Sequence, residues 1–412
     1  MAVAKPFCGL RPSKDYVEQF HCPPYDVMDR DEARKLAENK PYSFLHVTRS
    51  DLDLPDSIDE HDTQVYLNAK MKIEEFINKK VLIKDSKPCY YFYEETWKGK
   101  RQLGLFAVVK VQEYENGTIR RHEFTRKEKE VDRTNHIVIT KTHTEPVFLT
   151  YKDHGKIEKT IEKFINKNKP EYFVKDENEV IHKVWICSDE NINKIIEDEF
   201  KKVDILYIAD GHHRTASSLN AAREFEKQNP DHNGEESYNY FMAVIYPSNH
   251  LRILPYNRVV KDLNGLTTEQ FINKLKELGD IKQTKKTEPD KKHTIMIYID
   301  GRWFEFVFKK SLIPDDPVNS LDVAILQNNI LEPVLGIVDP RTDKRITFVG
   351  GIRGTKELEN LVNNKGYKVA FSMFATDIND LIKVADNHQV MPPKSTWFEP
   401  KLRSGFVIHQ ID

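Results

Sequence analysis

The sequence predicts a mixed α/β (α+β) protein, with one mixed sheet and an additional α+β subdomain. Three observations predict it. Strand-like and helix-like apolar patterns alternate over most of the 412 residues, which favours helices packed on sheets over a bundle or a sandwich. Four short runs, residues 184–187, 205–208, 240–245 and 254–260, are apolar enough for core strands. Asn116-Gly117 and Asp300-Gly301 supply the positive φ angles that tight antiparallel turns require.

In chain order, Pro23 and Pro24 stiffen a turn through Tyr25 and Asp26, and residues 33–38 read as a short helix. Tyr66, Ala69, Ile73, Phe76 and Ile77 recur at helical spacing. Residues 90–93 and 103–111 read as an antiparallel pair around a polar turn at Gly99, and Asn116-Gly117 leads as a hairpin into residues 118–122. Ile157, Ile161, Phe164 and Ile165 line a further helix. Between residues 263 and 317, a helix at 271–278 and strands at 294–299 and 303–308 form a small α+β insertion. The C-terminal stretch alternates a helix (358–363), a strand (369–373), a helix (378–384) and a strand (406–409). Two regions follow: 1–262, with an N-terminal extension, and 263–412, an α+β region whose last segment, about 386–410, returns to the first.

Charge narrows the function. The 63 Lys+Arg and 65 Asp+Glu leave a net charge of −2, so no basic field points to nucleic acid. The lysine-rich stretches 156–169 and 282–286 read as solvated faces. No apolar run suits a membrane span, residues 1–6 lack a signal-peptide core, and the four scattered cysteines form no CxxC pair. A cytoplasmic protein with reduced thiols and no structural zinc is expected.

The densest chemistry lies at Asp210-Gly211-His212-His213-Arg214, directly after the apolar run 203–208. A strand ends there and a helix begins. Glycine lets backbone approach a ligand, the first helical amides face outward, and arginine adds a planar donor fork. The pattern suits phosphate or pyrophosphate, with His212, His213 and Arg214 on the oxygens and Asp210 as a Mg²⁺ ligand or proton acceptor. Helix capping by Asp210 or Gly211 would explain only part of it.

A second constellation is Arg121-His122-Glu123-Phe124-Thr125 with Asp132-Arg133, where Glu123 is either a base or part of a charged hairpin end. A third is Lys394-Ser395-Thr396, behind Pro392-Pro393, which is either an anion contact or a rigid turn with Trp397 and Phe398 packed inward. The loop Gly350-Gly351-Ile352-Arg353-Gly354 reads as a chain reversal. The sequence has no P-loop, GxGxxG fingerprint, GxSxG elbow or protein-kinase motif set.

Taken together, Pro23-Pro24-Tyr25-Asp26-Val27, Pro41-Tyr42-Ser43-Phe44, Arg121–Thr125 with Asp132-Arg133, Glu145-Pro146-Val147-Phe148-Leu149, Ala209–Arg214 and Met391–Lys401 resemble a widespread family long catalogued only as a domain of unknown function. The Asp-Gly-His-His-Arg turn also resembles the phosphate-binding signature of the ParB/sulfiredoxin superfamily, which includes kinases of free L-serine. Long members like this chain resemble the pyrophosphate-dependent serine kinases; shorter ones use ADP or ATP.

The resemblance implies a ParB/sulfiredoxin-like core within residues 1–262. It implies phosphorylation of L-serine to O-phospho-L-serine with Mg²⁺ and pyrophosphate. Asp210, Gly211, His212, His213, Arg214 and Thr215 would cradle the donor, joined by Lys394, Ser395 and Thr396. Glu123 would be the general base, with Asp26 as the alternative. Arg133, Arg11 and Lys394 are the candidates for the serine carboxylate, and Asp26 and His122 complete the substrate side. A nucleotide-binding ParB-like regulator and a non-catalytic phospho-ligand module are the competing readings.

Overall fold

The structure, a computed structural model, describes residues 1–152 and 155–412 and is a mixed α+β protein. It contains two compact units, Met1–Leu251 with Pro400–Asp412, and Arg252–Glu399. The divide precedes the expected one at residue 262, because the run 254–260 belongs to the second unit's sheet.

The first unit is built on a nine-stranded sheet. Its strands are β1 (Ala4–Lys5), β2 (Tyr90–Trp97), β3 (Lys100–Lys110), β4 (Ile119–Arg120), β5 (Val147–Tyr151), β6 (Tyr172–Lys175), β7 (Ile181–Cys187), β8 (Leu206–Asp210) and β9 (Tyr240–Pro247). Their order is β4-β8-β5-β9-β3-β2-β7-β6, with β1 also on β3. β4 runs parallel to β8 and β5 to β9, and the other pairs are antiparallel.

Side chains alternate across this sheet, and both faces are covered. Leu103, Leu105, Ala107, Phe241, Ala243 and Ile245 join the main apolar cluster. The intervening positions carry a buried polar set, in which Tyr93 Oη meets His182 Nδ1 at 2.8 Å and Tyr246 Oη donates to Glu95 Oε2 at 2.8 Å. Strands buried on both sides read as continuous apolar runs, which is why the central ones were visible in the sequence.

Three helices of this unit bear on the site: α1 (Thr63–Asn78), α2 (Lys127–Thr140) and α3 (His212–Gln228). α1 packs on α2, and α2 on α3. Tyr66 Oη of α1 donates to Asp132 Oδ1 of α2 at 2.8 Å, fixing one helix against the next.

Asn116-Gly117 does not make the expected hairpin. Asn116 follows a one-turn helix, Gln112–Glu115, and its Oδ1 accepts the Thr118 amide at 3.0 Å. The turn then releases β4 into parallel pairing with β8. Local turn chemistry was satisfied, but the partner strand lies far along the chain.

In the second unit, β10 (Tyr256–Val260), β11 (Gly279–Thr284), β12 (Thr294–Ile299), β13 (Arg302–Phe308), β14 (Ile346–Gly350) and β15 (Val369–Ser372) form an antiparallel sheet ordered β11-β13-β12-β15-β10-β14. Helix α4 (Gly354–Asn364) covers it through Leu358, which clusters with Val259, Met296, Tyr298 and Ala370. Strands 294–299 and 303–308 therefore sit inside this sheet rather than in an insertion of their own. Pro255 separates β10 from a two-residue strand, Ile253–Leu254, which splits the run expected at 254–260.

Candidate active site

β8 and α3 meet at the Asp210–Arg214 turn. Leu206, Tyr207 and Ile208 are almost fully buried, so the strand is fixed by the core. The pairing of β8 with β5 then shifts register between Ile208 and Asp210. An irregularity of this kind bends the strand and re-aims the side chain that follows. Gly211 adopts φ 96°, ψ 33°, a left-handed conformation that a β-carbon disfavours. Helix α3 starts at the next residue, and its first amides lack partners within the helix.

Asp210 is the electrostatic centre. Its Oδ2 lies 2.9 Å from Lys401 Nζ and 3.9 Å from Arg214 Nη2, and its Oδ1 accepts the Gly211 amide at 3.0 Å. Burial pushes the Asp210 pKa up, but Lys401 and then Arg214 outweigh it and hold the carboxyl well below the ordinary range. Asp210 is thus ionised beside two cations. The Arg214 guanidinium is buried, donates to the Pro146 carbonyl, and lies 3.1 Å from where a β-carbon on Gly211 would sit.

The two histidines hold the loop that precedes α2. His212 Nε2 accepts the His122 amide at 3.4 Å, and the rings of His122 and His212 meet edge-on at 4.5 Å. His213 Nε2 accepts the Arg126 amide at 3.0 Å. Burial lowers the pKa of both, with His122 and Arg126 respectively adding to the effect, so neither brings a positive charge at neutral pH. The cationic character of the turn comes from Arg214 and Lys401, and the histidines offer neutral ring nitrogens. Burial also pushes His122 down to about 4, and its Nδ1 is buried without a partner among the described residues.

Glu123 follows His122 into this arrangement, and its Oε2 lies 3.8 Å from His212 Nδ1. Asp26 is exposed and acts electrostatically on both Arg214 and His213. The turn that carries Asp26 is pinned from behind, where Tyr25 donates its amide to Glu145 Oε1 at 2.9 Å. Arg133 of α2 lies over the Tyr25 ring at 4.1 Å, and its Nε donates to Asp132 Oδ2 at 2.7 Å. Asp132 is resisted by burial but pulled down to about 2, chiefly by Arg133. Glu145 is pushed up by burial, with Arg214 and Arg133 pulling against it.

The structure therefore gathers Asp26, His122, Glu123, Arg133, Asp210, Gly211, His212, His213 and Arg214 into one linked set. Other expected residues are occupied differently. Thr215 is fully buried, and its hydroxyl donates to the Gly211 carbonyl at 3.1 Å, which turns it into the helix. Arg11 is saturated by Asp85, Glu171 and the Tyr172 hydroxyl, and Tyr172 stands on β6, the opposite edge strand from β4. Lys394, Ser395 and Thr396 belong to the second unit. There the Lys394 carbonyl accepts Arg258 Nη2 at 3.0 Å, while the Ser395 hydroxyl donates to the Pro392 carbonyl at 2.6 Å.

Two residues that contact this set were not expected as site members: Glu145, which takes the Tyr25 amide, and Lys401, which pairs with Asp210. Both stand beside prolines, Glu145-Pro146 and Pro400-Lys401, in segments that carry the family resemblance, but neither segment by itself indicates its residue's partner. Among the described residues, no group of three or more His, Cys, Asp or Glu side chains could hold a metal ion. No helix among them is long and apolar enough to cross a membrane.

A family described as "Protein of unknown function (DUF1015)" matches residues 4–324. No curated protein matches the chain. Among solved structures, a conserved hypothetical protein from Pyrococcus furiosus is 13% identical with a TM-score of 0.35, covering 72% of this chain and 92% of its own. A free serine kinase in complex with AMP is 10% identical with a TM-score of 0.34, covering 71% and 86%. SbnI from Staphylococcus aureus, truncated at its C-terminus, is 11% identical with a TM-score of 0.36, covering 72% and 84%. At these TM-scores no residue role is carried over from them.

Proposed function

The chain belongs to the DUF1015 family of proteins of unknown function, and on that footing we propose that it is a phosphotransferase that converts free L-serine to O-phospho-L-serine, with pyrophosphate as donor. The observation that carries the reading is the Asp210–Lys401–Arg214 grouping at the start of α3. Phosphoryl transfer needs fixed positive charge around the moving group, outward-facing amides and a base for the attacking hydroxyl, and little covalent chemistry from the protein. This turn offers the first two, and the resemblance of its sequence to a phosphate-binding signature points the same way.

In this reading the α3 amides, Arg214 and Lys401 receive the donor oxygens. The serine hydroxyl oxygen attacks the nearer phosphorus, its bond to the bridging oxygen breaks, and inorganic phosphate leaves. Glu123 takes the hydroxyl proton, with Asp26 as the alternative acceptor. His213 and His212 position the loop that brings Glu123 to the turn.

Mg²⁺ is commonly held by one or two carboxylates with the rest of its shell from phosphates and water, and in this reading Asp210 would be its protein ligand. When bound, the ion would neutralise donor charge. We place the enzyme in the cytoplasm, acting on small molecules.

The test is a product assay with L-serine, Mg²⁺ and, separately, pyrophosphate, ADP and ATP, read by phosphorus NMR. O-phosphoserine from pyrophosphate supports the proposal. O-phosphoserine only from a nucleotide keeps the reaction and replaces the donor, and no product from any donor overturns it.

A further inference from the structure

We infer that Arg133 and Glu145 together read the charged ends of an α-amino acid: Arg133 Nη1 takes the carboxylate and Glu145 Oε2 the ammonium. The inference rests on the proposed function and assigns its substrate subsite.

Arg133 Nη1 is buried and has no hydrogen-bond partner among the described residues. A guanidinium N–H left in that state is rare, because it has given up water without a replacement. The side chain is nevertheless held firmly. Its Nε is on Asp132 Oδ2 at 2.7 Å, and its plane lies 4.1 Å from the Tyr25 ring centre. Asp132 is itself fixed by Tyr66 Oη at 2.8 Å and by His61 Nδ1 at 2.9 Å. The fork is fixed at one end and bare at the other, as a preformed carboxylate receptor requires.

Glu145 is the opposite charge across the same residue. Its Oε1 takes both the Tyr25 amide at 2.9 Å and the Ser404 hydroxyl at 3.1 Å, so these two bonds leave Oε2 to a ligand. Tyr25 thus separates a cation on its ring from an anion on its backbone, and each acts electrostatically on the other. One buried charge of each sign, each with an open position, complements a zwitterion and not a simple alcohol or acid. Arg214 donates to the carbonyl of Pro146, the residue after Glu145, so the subsite borders the phosphate turn.

The test is calorimetric binding to the full chain of L-serine, ethanolamine (no carboxylate) and 3-hydroxypropionate (no ammonium). L-serine is expected to bind at least tenfold tighter than either truncated compound. Glu145→Gln is expected to erase the preference over 3-hydroxypropionate, and Arg133→Lys to weaken L-serine at least tenfold. Pyrophosphate binding should stay within about twofold in both variants. Equal binding of the three compounds by the unsubstituted chain overturns the inference, and that arm needs no variant to fold. Retained preference in two folded variants overturns it as well. L-serine binding without phosphoserine from any donor would remove the kinase reading and leave the zwitterion site standing.

Discussion

Lys401 Nζ and Asp210 Oδ2 lie 2.9 Å apart across 191 residues of sequence, and this ion pair holds the Asp210 carboxyl ionised at the start of α3. Lys401→Met removes the larger of the two cationic influences on Asp210 and lets burial push its pKa upward. Turnover is expected to fall roughly 10²-fold, with the acid limb of the pH–rate profile displaced to higher pH. An unmoved acid limb would separate Asp210 from the chemistry.

Arg214→Lys keeps a cation but loses the fork that reaches the Pro146 carbonyl while remaining beside Asp210. An ammonium cannot serve both directions. Steady-state kinetics should show kcat down by about 10² or more, and thermal melts should show a folded variant. Near-normal kcat would place the donor elsewhere.

Gly211→Ala tests the backbone. At φ 96° a β-carbon is strained, and it would stand 3.1 Å from the Arg214 guanidinium carbon. The strain costs about 1–2 kcal/mol, so Tm should drop by several degrees, while the KM for donor rises more than the KM for serine. A larger effect on serine would reverse the assignment of the two subsites.

Glu113 gives a pH prediction independent of function. It is buried, its Oε1 accepts the Val3 amide at 2.8 Å, and burial raises its pKa to about 7 from 4.5. The folded protein retains this proton where the unfolded chain releases it. The contribution to stability is therefore complete below about pH 4.5 and lost as pH rises through about 7. Measured as Tm at pH 5 and pH 8, Glu113→Gln should gain on the unsubstituted protein by a few degrees at the higher pH. A constant difference would mean that the proton is not retained.

The strand-to-helix turn at Asp210–Arg214 was legible in the sequence because its parts are contiguous: a buried strand, a glycine, and a helix that begins with His212. The central strands were legible for a similar reason, since burial on both faces leaves an uninterrupted apolar run. What the sequence hides is long-range pairing. Nothing near Lys401 announces Asp210, and nothing near Glu145 announces Tyr25. Asn116-Gly117 misled in the same way: it specifies a turn, whereas the strand that follows is defined by β8. In the Lys394-Ser395 stretch the sequence did not indicate the bonds that the Lys394 carbonyl makes with Arg258 and the Ser395 hydroxyl with the Pro392 carbonyl, because both are set by the folded second unit.

The first unit is interrupted: its chain leaves at Leu251 and resumes at Pro400. During synthesis, Asp210 and Arg214 exist before the intervening residues are made, and Lys401 comes only after them. Until then Asp210 lacks the larger of the two cations that offset its burial. A nascent or proteolytically shortened chain ending before Pro400 would lack the Lys401 partner of Asp210, so the ion pair at this turn forms only after the second unit has been translated.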